Sequence, residues 1–404
     1  MQIKPILSAL RHHRLATTLI ALQIALACAV LCNACFLIAN RWHAMELSSG
    51  INESSLALLS ITGYDETQAK DINARVIAGL QSIPGMKSVS AINAAPFARQ
   101  AGVAGVTLDR EEKRNGGVVD FYVSGPGTWE ALGLKLIAGE APKPDDYGPI
   151  DSFVPANANV LVTGTLAQHF WPGANPLGKE FWVDKFHFRV TGVVEHLATA
   201  QPGGRGPESV DWSVFTPAQP GTAFSGTYLL RADPADISRV LRDASNAIAT
   251  IVPEAVLDRD NTKTIADFRH DYFRSDRAMA RILVGVIVSL LLVTALGIVG
   301  LASFWVDRRR KQIGIRRAIG ATRGDILRYF QLENLLIVTF GVVLGVAAAY
   351  VLNDVLMRYY ELPRLPVAYL VAGACVQWIL GQLAVLGPAI RAAAVPPVVA
   401  TRSV

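Results

Sequence analysis

An uncharged apolar run of 25 residues, from Ile282 to Val306, continues directly into a strongly basic segment. As an α-helix this run rises about 37 Å, which is enough to cross a hydrocarbon core about 30 Å thick with some tilt. Lys and Arg collect on the cytoplasmic side of membrane helices, so the basic segment marks the inner end of the span. The chain therefore has to fold around a membrane.

Composition supports a membrane protein, because hydrophobic residues make up 51% and charged residues only 18% of the chain. An average soluble chain carries about 25% charged residues. We predict an α-helical membrane protein with four transmembrane helices, over residues 15–40, 282–306, 332–353 and 367–390. The third span is the least clear in the sequence, since Gln331 and Glu333 lie at its start and Asp354 follows it.

The basic residues indicate the orientation. Residues 1–14, 307–331 and 391–404 together carry 13 Lys and Arg against two acids, in a chain whose net charge is only +5. The positive-inside rule therefore predicts a cytoplasmic N-terminus, a cytoplasmic coupling segment and a cytoplasmic tail, with residues 41–281 and the short loop 354–366 outside. A pI near 9.0 would also suit nucleic-acid binding, but these basic residues border spans, so we expect membrane lipid and no nucleic acid as a partner.

The first span carries two features with more than one interpretation. Its basic start resembles a signal peptide, but its apolar part is about twice as long as a signal-peptide core, so we predict an uncleaved anchor. Cys28, Cys32 and Cys35 have a spacing that suggests an iron–sulfur cluster in a soluble enzyme. Inside a membrane helix, cysteine more often serves as a small packing residue, as we also expect for Cys375.

Residues 41–281 contain no cysteine, so this outer segment needs a hydrophobic core rather than disulfides. Hydrophobic periodicity predicts a large α+β extracytoplasmic domain between the first and second helices, with an inserted subdomain at about 115–225. We predict two amphipathic helices, over 66–80 and 235–251. Strands are predicted over residues 55–61, 89–94, 120–124, 159–163, 181–183, 188–194 and 227–231.

No catalytic residue, cofactor site or metal site is predicted. Residues Gly173 to Lys179 have the spacing of a phosphate-binding P-loop, but Glu180 stands where Ser or Thr should bind magnesium. We interpret this segment as a turn. The histidines of the outer domain lack metal-ligand spacing, so we expect no metal site there. Because the sequence contains no P-loop, we expect a non-catalytic subunit, and any ATP hydrolysis has to take place on another chain.

The connector, residues 307–331, contains a short amphipathic helix. Ile315, Ala318 and Ile319 fall on one face at helical spacing, whereas Arg316 and Arg317 face elsewhere. Gly320 can end this helix, and Thr322 with Asp325 forms a capping-box pattern for the next one. We predict that a partner protein binds here, through residues Ile313, Gly314, Ile315, Arg316, Arg317, Ala318, Ile319 and Gly320.

A second predicted site lies within the third span. Gly341, Gly345 and Ala349 repeat at intervals of four residues and form a ridge of small side chains. Such a ridge allows a second membrane helix to approach closely. We therefore predict helix packing at these three residues.

The connector resembles the signature of MacB/FtsX-like ABC transporter permeases, since residues 310–327 read RKQIGIRRAIGATRGDIL. The outer segment is similar to the MacB periplasmic core domain at YVSGPGTWEALGL (122–134), FWPGANPLG (170–178) and VTGVV (190–194). The resemblance covers nearly the whole chain in the same order. Gln312 departs from it, because the family usually has Glu at this position.

The resemblance implies the permease subunit of an ABC-type exporter or extrusion complex in the bacterial inner membrane. Its expected partners are two copies of a cytoplasmic ABC ATPase, which the resemblance implies would bind the predicted connector residues 313–320, and a second permease protomer, as a homodimer or a heterodimer. A periplasmic adaptor and an outer-membrane channel are further expected partners. ATP-driven motion would be relayed to the periplasmic domain by mechanotransmission. The alternative is an FtsX-like signalling permease that controls a cell-wall hydrolase or a sensor kinase without transporting a substrate.

Overall fold

The computed structural model describes residues 14–98, 101–150, 154–360 and 364–396. The chain divides into two compact units, Met1–Met45 with Ser275–Val404, and Glu46–Arg274. Most of the predicted cytoplasmic N-terminus and the tail beyond Pro396 lie outside the described residues, as does the middle of the predicted loop 354–366.

The described residues form ten α-helices and twelve strands. The helices are α1 (Arg14–Met45), α2 (Ala69–Gln81), α3 (Thr128–Leu132), α4 (Gly164–Phe170), α5 (Ile237–Ile251), α6 (Ile265–Tyr272), α7 (Arg274–Arg308), α8 (Arg310–Ala318), α9 (Arg323–Tyr360) and α10 (Val367–Ala393). The strands are β1 (Leu56–Thr62), β2 (Met86–Ala91), β3 (Gly102–Thr107), β4 (Asn115–Ser124), β5 (Leu136–Gly139), β6 (Asn157–Thr163), β7 (Glu180–Val183), β8 (Phe186–Val194), β9 (Ser213–Pro217), β10 (Thr227–Ala232), β11 (Val256–Leu257) and β12 (Lys263–Thr264).

Four of these helices are long and apolar enough to cross a membrane: Leu15–Met45, Arg274–Arg308, Arg323–Val355 and Val367–Ala393. An α+β domain separates the first from the second. The predicted fold class is therefore confirmed. The helices extend beyond their apolar runs at one or both ends; the fourth starts at Val367 as predicted and continues to Ala393.

Helix α1 packs closely against α9 at two glycines of the small-residue ridge. A Cβ atom added to Gly341 would lie 2.8 Å from Ile24, and one added to Gly345 would lie 2.6 Å from the Cβ atom of Cys28. Ala349 is completely buried, and its carbonyl accepts a hydrogen bond of 3.2 Å from Asn33 Nδ2. Larger side chains at the two glycines would force these helices apart.

The cysteines of α1 face other helices. Cys28 and Cys32 are fully buried, and a Cβ atom on Gly373 of α10 would lie 2.4 Å from Cys32 Sγ. All four cysteines of the chain are free thiols, Cys35 being half-buried and Cys375 exposed. Helix packing therefore accounts for the spacing of Cys28 and Cys32 in α1.

The first sheet of the outer unit is antiparallel, with the strand order β11-β1-β10-β2 and β12 paired to β1. Helices α2 and α5 cover one face of it. Their apolar sides supply Ile72, Val76, Val240 and Ala244 to a core with Leu59 of β1. This layer contains both predicted amphipathic helices.

The second sheet has seven strands in the order β5-β8-β6-β9-β4-β3-β7, and β7 also pairs with β8. Six strands therefore close into a ring, and β5 is added to β8. Buried aromatic residues fill the interior, including Phe121, Phe170, Phe181 and Phe188. The sheet begins at Gly102 with β3, a strand that the sequence did not predict. The strands β5 and β9 of this sheet and β11 and β12 of the first sheet were also missed, whereas every predicted strand is present.

The segment with P-loop spacing is a turn, as predicted. Gly178 donates a backbone hydrogen bond of 2.8 Å to Val190, and Lys179 donates one of 3.1 Å to Pro176. Glu180 then begins strand β7 rather than a helix. Without a helix N-terminus behind the turn, the segment lacks the group that binds phosphate in a P-loop.

His196 joins the start of the outer unit to a buried carboxylate. Its Nδ1 lies 2.7 Å from Asp211 Oδ2, and its Nε2 contacts the carbonyl oxygen of Ser48. Both partners can only accept hydrogen bonds, so both ring nitrogens must donate, which only the protonated imidazole does. The hydrogen bond with Asp211 raises the pKa of His196 above its ordinary value near 6.5. Asp211 also accepts a bond of 2.9 Å from the Leu197 amide.

We expect this connection to weaken as the pH rises. A group whose pKa is raised by folding contributes full stability below its unfolded pKa, and this contribution is lost as the pH passes its folded pKa. Hydrogen exchange at the Leu197 amide should therefore accelerate as the pH rises above about 6.5, beyond the ordinary base-catalysed increase. The Ala200 amide, which donates 2.8 Å to Asp120, provides the internal control. Equal acceleration at both amides would contradict the prediction. So would a His196→Gln variant in which the pH dependence of exchange at the Leu197 amide is the same as in the natural chain.

Candidate functional site

The connector between the membrane helices α7 and α9 consists of a short helix followed by a tight turn. Helix α8 covers Arg310–Ala318, and Gly320 follows it with a φ of 107°, a left-handed conformation that favours glycine. Thr322 and Asp325 form the predicted capping box, since the Thr322 amide donates 3.0 Å to the Asp325 carboxylate and the Asp325 amide donates 3.2 Å to Thr322 Oγ1. Both ends of the turn are therefore fixed by local hydrogen bonds.

One side of α8 is buried against its own chain. Ile313 is 4% exposed and packs with Ile326 and Phe330 of α9 and with Ala389 and Ala392 of α10. The neighbouring Gly314 is also buried. These two members of the predicted ATPase-binding set therefore attach α8 to the membrane helices and leave no surface for a partner.

The N-terminal end of α8 is held to α9 by a buried ion pair. Arg309 Nη1 lies 3.0 Å and 2.9 Å from the two carboxylate oxygens of Glu333. The side chain of Glu333 is 1% exposed and that of Arg309 is 16% exposed. The guanidinium also lies 5.6 Å from the ring centroid of Trp305 in α7. Arg309 thus connects three helices at the base of the third span.

The C-terminal part of α8 is attached to the end of α10. Arg317 Nη1 donates hydrogen bonds of 2.9 Å to the carbonyl of Ala393 and 3.2 Å to that of Val395. The last carbonyls of a helix have no partner within it and carry partial negative charge, so a guanidinium stabilises them. We had expected Arg317 to face a partner; instead it caps α10.

The opposite side of α8 is exposed. Ile319 is 82% exposed and Ile315 is 43% exposed, and Ala318 between them is also exposed. Arg316 lies 5.0 Å from the ring of Tyr329, which holds its charge beside this apolar face. We define the α8 outer face as Ile315, Arg316, Ala318 and Ile319. Exposed isoleucines next to oriented arginine are the composition of a protein-binding surface.

Sequence reasoning missed the two anchors of the connector. In the sequence, Glu333 makes the third span less clear. An ionised residue inside an apolar helix nevertheless indicates a buried partner. No local pattern shows that Arg309 is this partner or that Arg317 reaches residues far along the chain. Of the predicted set, four residues form the α8 outer face, Ile313 and Gly314 are buried, Arg317 caps α10, and Gly320 ends the helix.

Comparisons with known proteins agree with this arrangement. Residues 284–397 match the family model of the FtsX-like permease C-terminal domain. A macrolide export ATP-binding/permease protein MacB from Agrobacterium fabrum is 23% identical over 87% of this chain and 52% of its own length. MacB 1/2 from Paracoccus denitrificans is 26% identical over 76% of this chain and 46% of its own length. The chain thus spans about half the length of these curated relatives.

Among solved structures, the periplasmic region of MacB from Actinobacillus actinomycetemcomitans aligns with 52% of this chain and 89% of its own length, with 15% identity and a TM-score of 0.35. Four apolar helices, an outer α+β domain after the first and an amphipathic connector after the second define a multi-pass membrane permease. Residues 284–397 match the FtsX-like permease C-terminal domain, and the chain is similar to MacB proteins over most of its length.

Proposed function

We propose that this chain is the permease subunit of an ABC-type exporter, which relays ATP-driven motion of a separate cytoplasmic ATPase to its outer domain. The observation that carries the proposal is the division of α8 into two sides. Its outer face is apolar, basic and exposed, whereas Ile313, Arg309 and Arg317 attach its other side to the membrane helices. A helix held in this way transmits force better than a flexible loop.

The relay follows from these contacts. An ATPase that binds the α8 outer face and moves it displaces α9 through the Arg309–Glu333 pair and α10 through Arg317. Helix α9 in turn packs on α1 at Gly341 and Gly345, and α1 leads into the outer domain. Motion thus reaches the outer domain through packed helices, and no substrate has to cross between the spans.

The proposed complex contains two ATPase subunits and a second permease protomer in the bacterial inner membrane, with an adaptor and an outer-membrane channel as further partners. The curated relatives are named for export, including a probable syringafactin exporter of Pseudomonas syringae. This supports export over the FtsX-like signalling alternative. Those relatives carry ATP-binding in their names, and we assign that activity to a partner chain.

Photo-crosslinking in cells that express the native partners tests the proposal. A photoreactive amino acid at Ile319, which is 82% exposed, should capture a P-loop ATPase, which mass spectrometry of the adduct would identify. The matched position is Ile313 on the same helix, which is 4% exposed and should give no such adduct. The rigorously purified chain should hydrolyse no ATP alone. Turnover by the single chain, or Ile319 adducts without any ATPase, would refute the proposed role.

We further propose that both termini and α8 are cytoplasmic and that the outer domain faces the periplasm, on the basis of the charge distribution. Intact cells treated with a membrane-impermeant maleimide should label Ser54→Cys, an exposed residue of the outer domain, and leave the exposed Gln312→Cys unlabelled until the cells are opened. The unsubstituted chain shows how far its four natural cysteines react. The reverse labelling pattern would overturn the orientation.

A further inference from the structure

A cavity of about 380 Å³ lies between the end of α7 and the end of α10, beside the start of α8. Its lining includes two guanidinium groups, from Arg310 and Arg391, and the carboxylate of Asp307. Arg391 Nη2 donates a hydrogen bond of 3.2 Å to Ser303 Oγ, which holds that guanidinium against α7. The two arginines outnumber the one carboxylate, so the lining carries a net charge of +1 and favours a ligand with a negatively charged group.

Each of the two helices carries an exposed face that continues from the cavity residues along its own length. Gly300 lies three residues before Ser303 in α7, and Gly387 lies four residues before Arg391 in α10, so each shares a helix face with a cavity residue. A Cβ atom added to either glycine would meet no atom within 4 Å. Beyond them Leu296 is 69% exposed and Leu383 is 64% exposed. We call these two faces together the α7–α10 groove.

We propose that the cavity and the α7–α10 groove bind one phospholipid, with phosphatidylethanolamine as the preferred type. The phosphate lies between Arg310 and Arg391, and an acyl chain lies along the groove past Gly300 and Gly387. The Asp307 carboxylate accepts hydrogen bonds from the ammonium group of the headgroup. Phosphatidylcholine has no N–H donor for this carboxylate. Inorganic phosphate would satisfy the arginines but leave the apolar groove uncovered.

The site is distinct from the α8 outer face, so this inference does not depend on the proposed relay. It assigns a ligand to Arg310, at the start of α8, and to Arg391, near the end of α10. The positive-inside rule predicts only the side of the membrane on which these arginines lie. A bound lipid would bridge the second and fourth spans. Within the described part of the chain, the Arg391–Ser303 bond is the hydrogen bond that joins these two helices across the cavity.

Native mass spectrometry of the full chain, released from nanodiscs of defined composition, tests the proposal. With phosphatidylethanolamine, one lipid per chain should remain bound after delipidation. The Arg310→Gln/Arg391→Gln variant should retain it about twenty-five-fold more weakly, because each arginine near the membrane surface contributes about fivefold to phosphate binding. The matched control is Arg323→Gln/Arg328→Gln, which removes the same charge from exposed connector positions that do not line the cavity.

Two further variants separate the parts of the ligand. Asp307→Asn should reduce the preference for phosphatidylethanolamine over phosphatidylcholine while leaving phosphate binding intact. Gly300→Leu fits into open space and should displace the acyl chain without unfolding the protein, which circular dichroism would verify. Equal lipid retention by the two double variants would overturn the site. Equal binding of both zwitterionic lipids by the natural chain, or stronger binding of phosphatidylglycerol, would overturn the ethanolamine assignment.

Discussion

Ile319→Asp is expected to abolish copurification of the partner ATPase while the permease still inserts and folds. The side chain is 82% exposed, so the charged residue meets water in the isolated chain and costs little stability there. In the complex the same carboxylate would enter an apolar groove. Truncating an apolar anchor at an interface commonly costs about 2 kcal/mol or more, and burying a charge costs more than truncation. Binding should therefore fall by more than about thirtyfold.

Ile315→Asp should act in the same direction with a smaller effect, because Ile315 is only 43% exposed. Arg316→Gln should mainly slow association, since a charge at the rim of an interface affects the rate of encounter more than the lifetime of the complex. Affinity purification from native membranes, followed by quantification of the ATPase, measures all three variants. Val256→Asp, which places a charge on an exposed valine of the outer domain, is the matched control.

The alternative for the α8 outer face is contact with the lipid interface. Ile319→Trp distinguishes the two, because tryptophan favours a membrane interface but would overfill a groove shaped for isoleucine. If the ATPase binds there, the Trp variant should lose affinity. Full ATPase binding by both Ile319→Trp and Ile319→Asp would move the coupling contact elsewhere.

Hydropathy predicted the four membrane spans because each span depends only on its own residues. The missed strands show where local pattern fails. Strand β3 contains two glycines, Gly102 and Gly105, and β5 covers only Leu136–Gly139, so neither offers a run of β-branched or aromatic residues. These strands exist because their neighbours in the ring need partners for backbone hydrogen bonds, a requirement that no short window of sequence displays.

The connector divides in the same way. Helical spacing correctly placed Ile315, Ala318 and Ile319 on one face, since that face depends on geometry within a single helix. It could not assign Arg317 or Ile313, because their partners lie in α9 and α10. Isoleucine on an exposed face and isoleucine in a core have the same local signal, and only tertiary packing separates them.

Arg309→Leu should be among the most destabilising single substitutions in the membrane unit. It removes the guanidinium that lies against the Glu333 carboxylate, which is 1% exposed, and breaking one side of a buried ion pair typically costs about 3–5 kcal/mol. Glu333→Leu should cost less, because Arg309 is 16% exposed and its guanidinium also contacts Trp305 and approaches Tyr329. The double variant Arg309→Leu/Glu333→Leu should recover most of the lost stability, since neither charge then remains buried alone.

Stability and coupling should separate in that double variant. It removes the charged connection between the start of α8 and α9 but leaves the Ile313 core and the α8 outer face intact. We therefore expect a folded permease that still binds its ATPase but no longer moves its outer domain when ATP is hydrolysed.

Thermal unfolding in detergent gives the double-mutant cycle, and ATP-dependent distance changes between spin labels in the outer domains of the complex report the motion. A coupling energy below about 0.5 kcal/mol would show that the pair is not an anchor. Unchanged motion in the folded double variant would show that force reaches α9 through apolar packing alone.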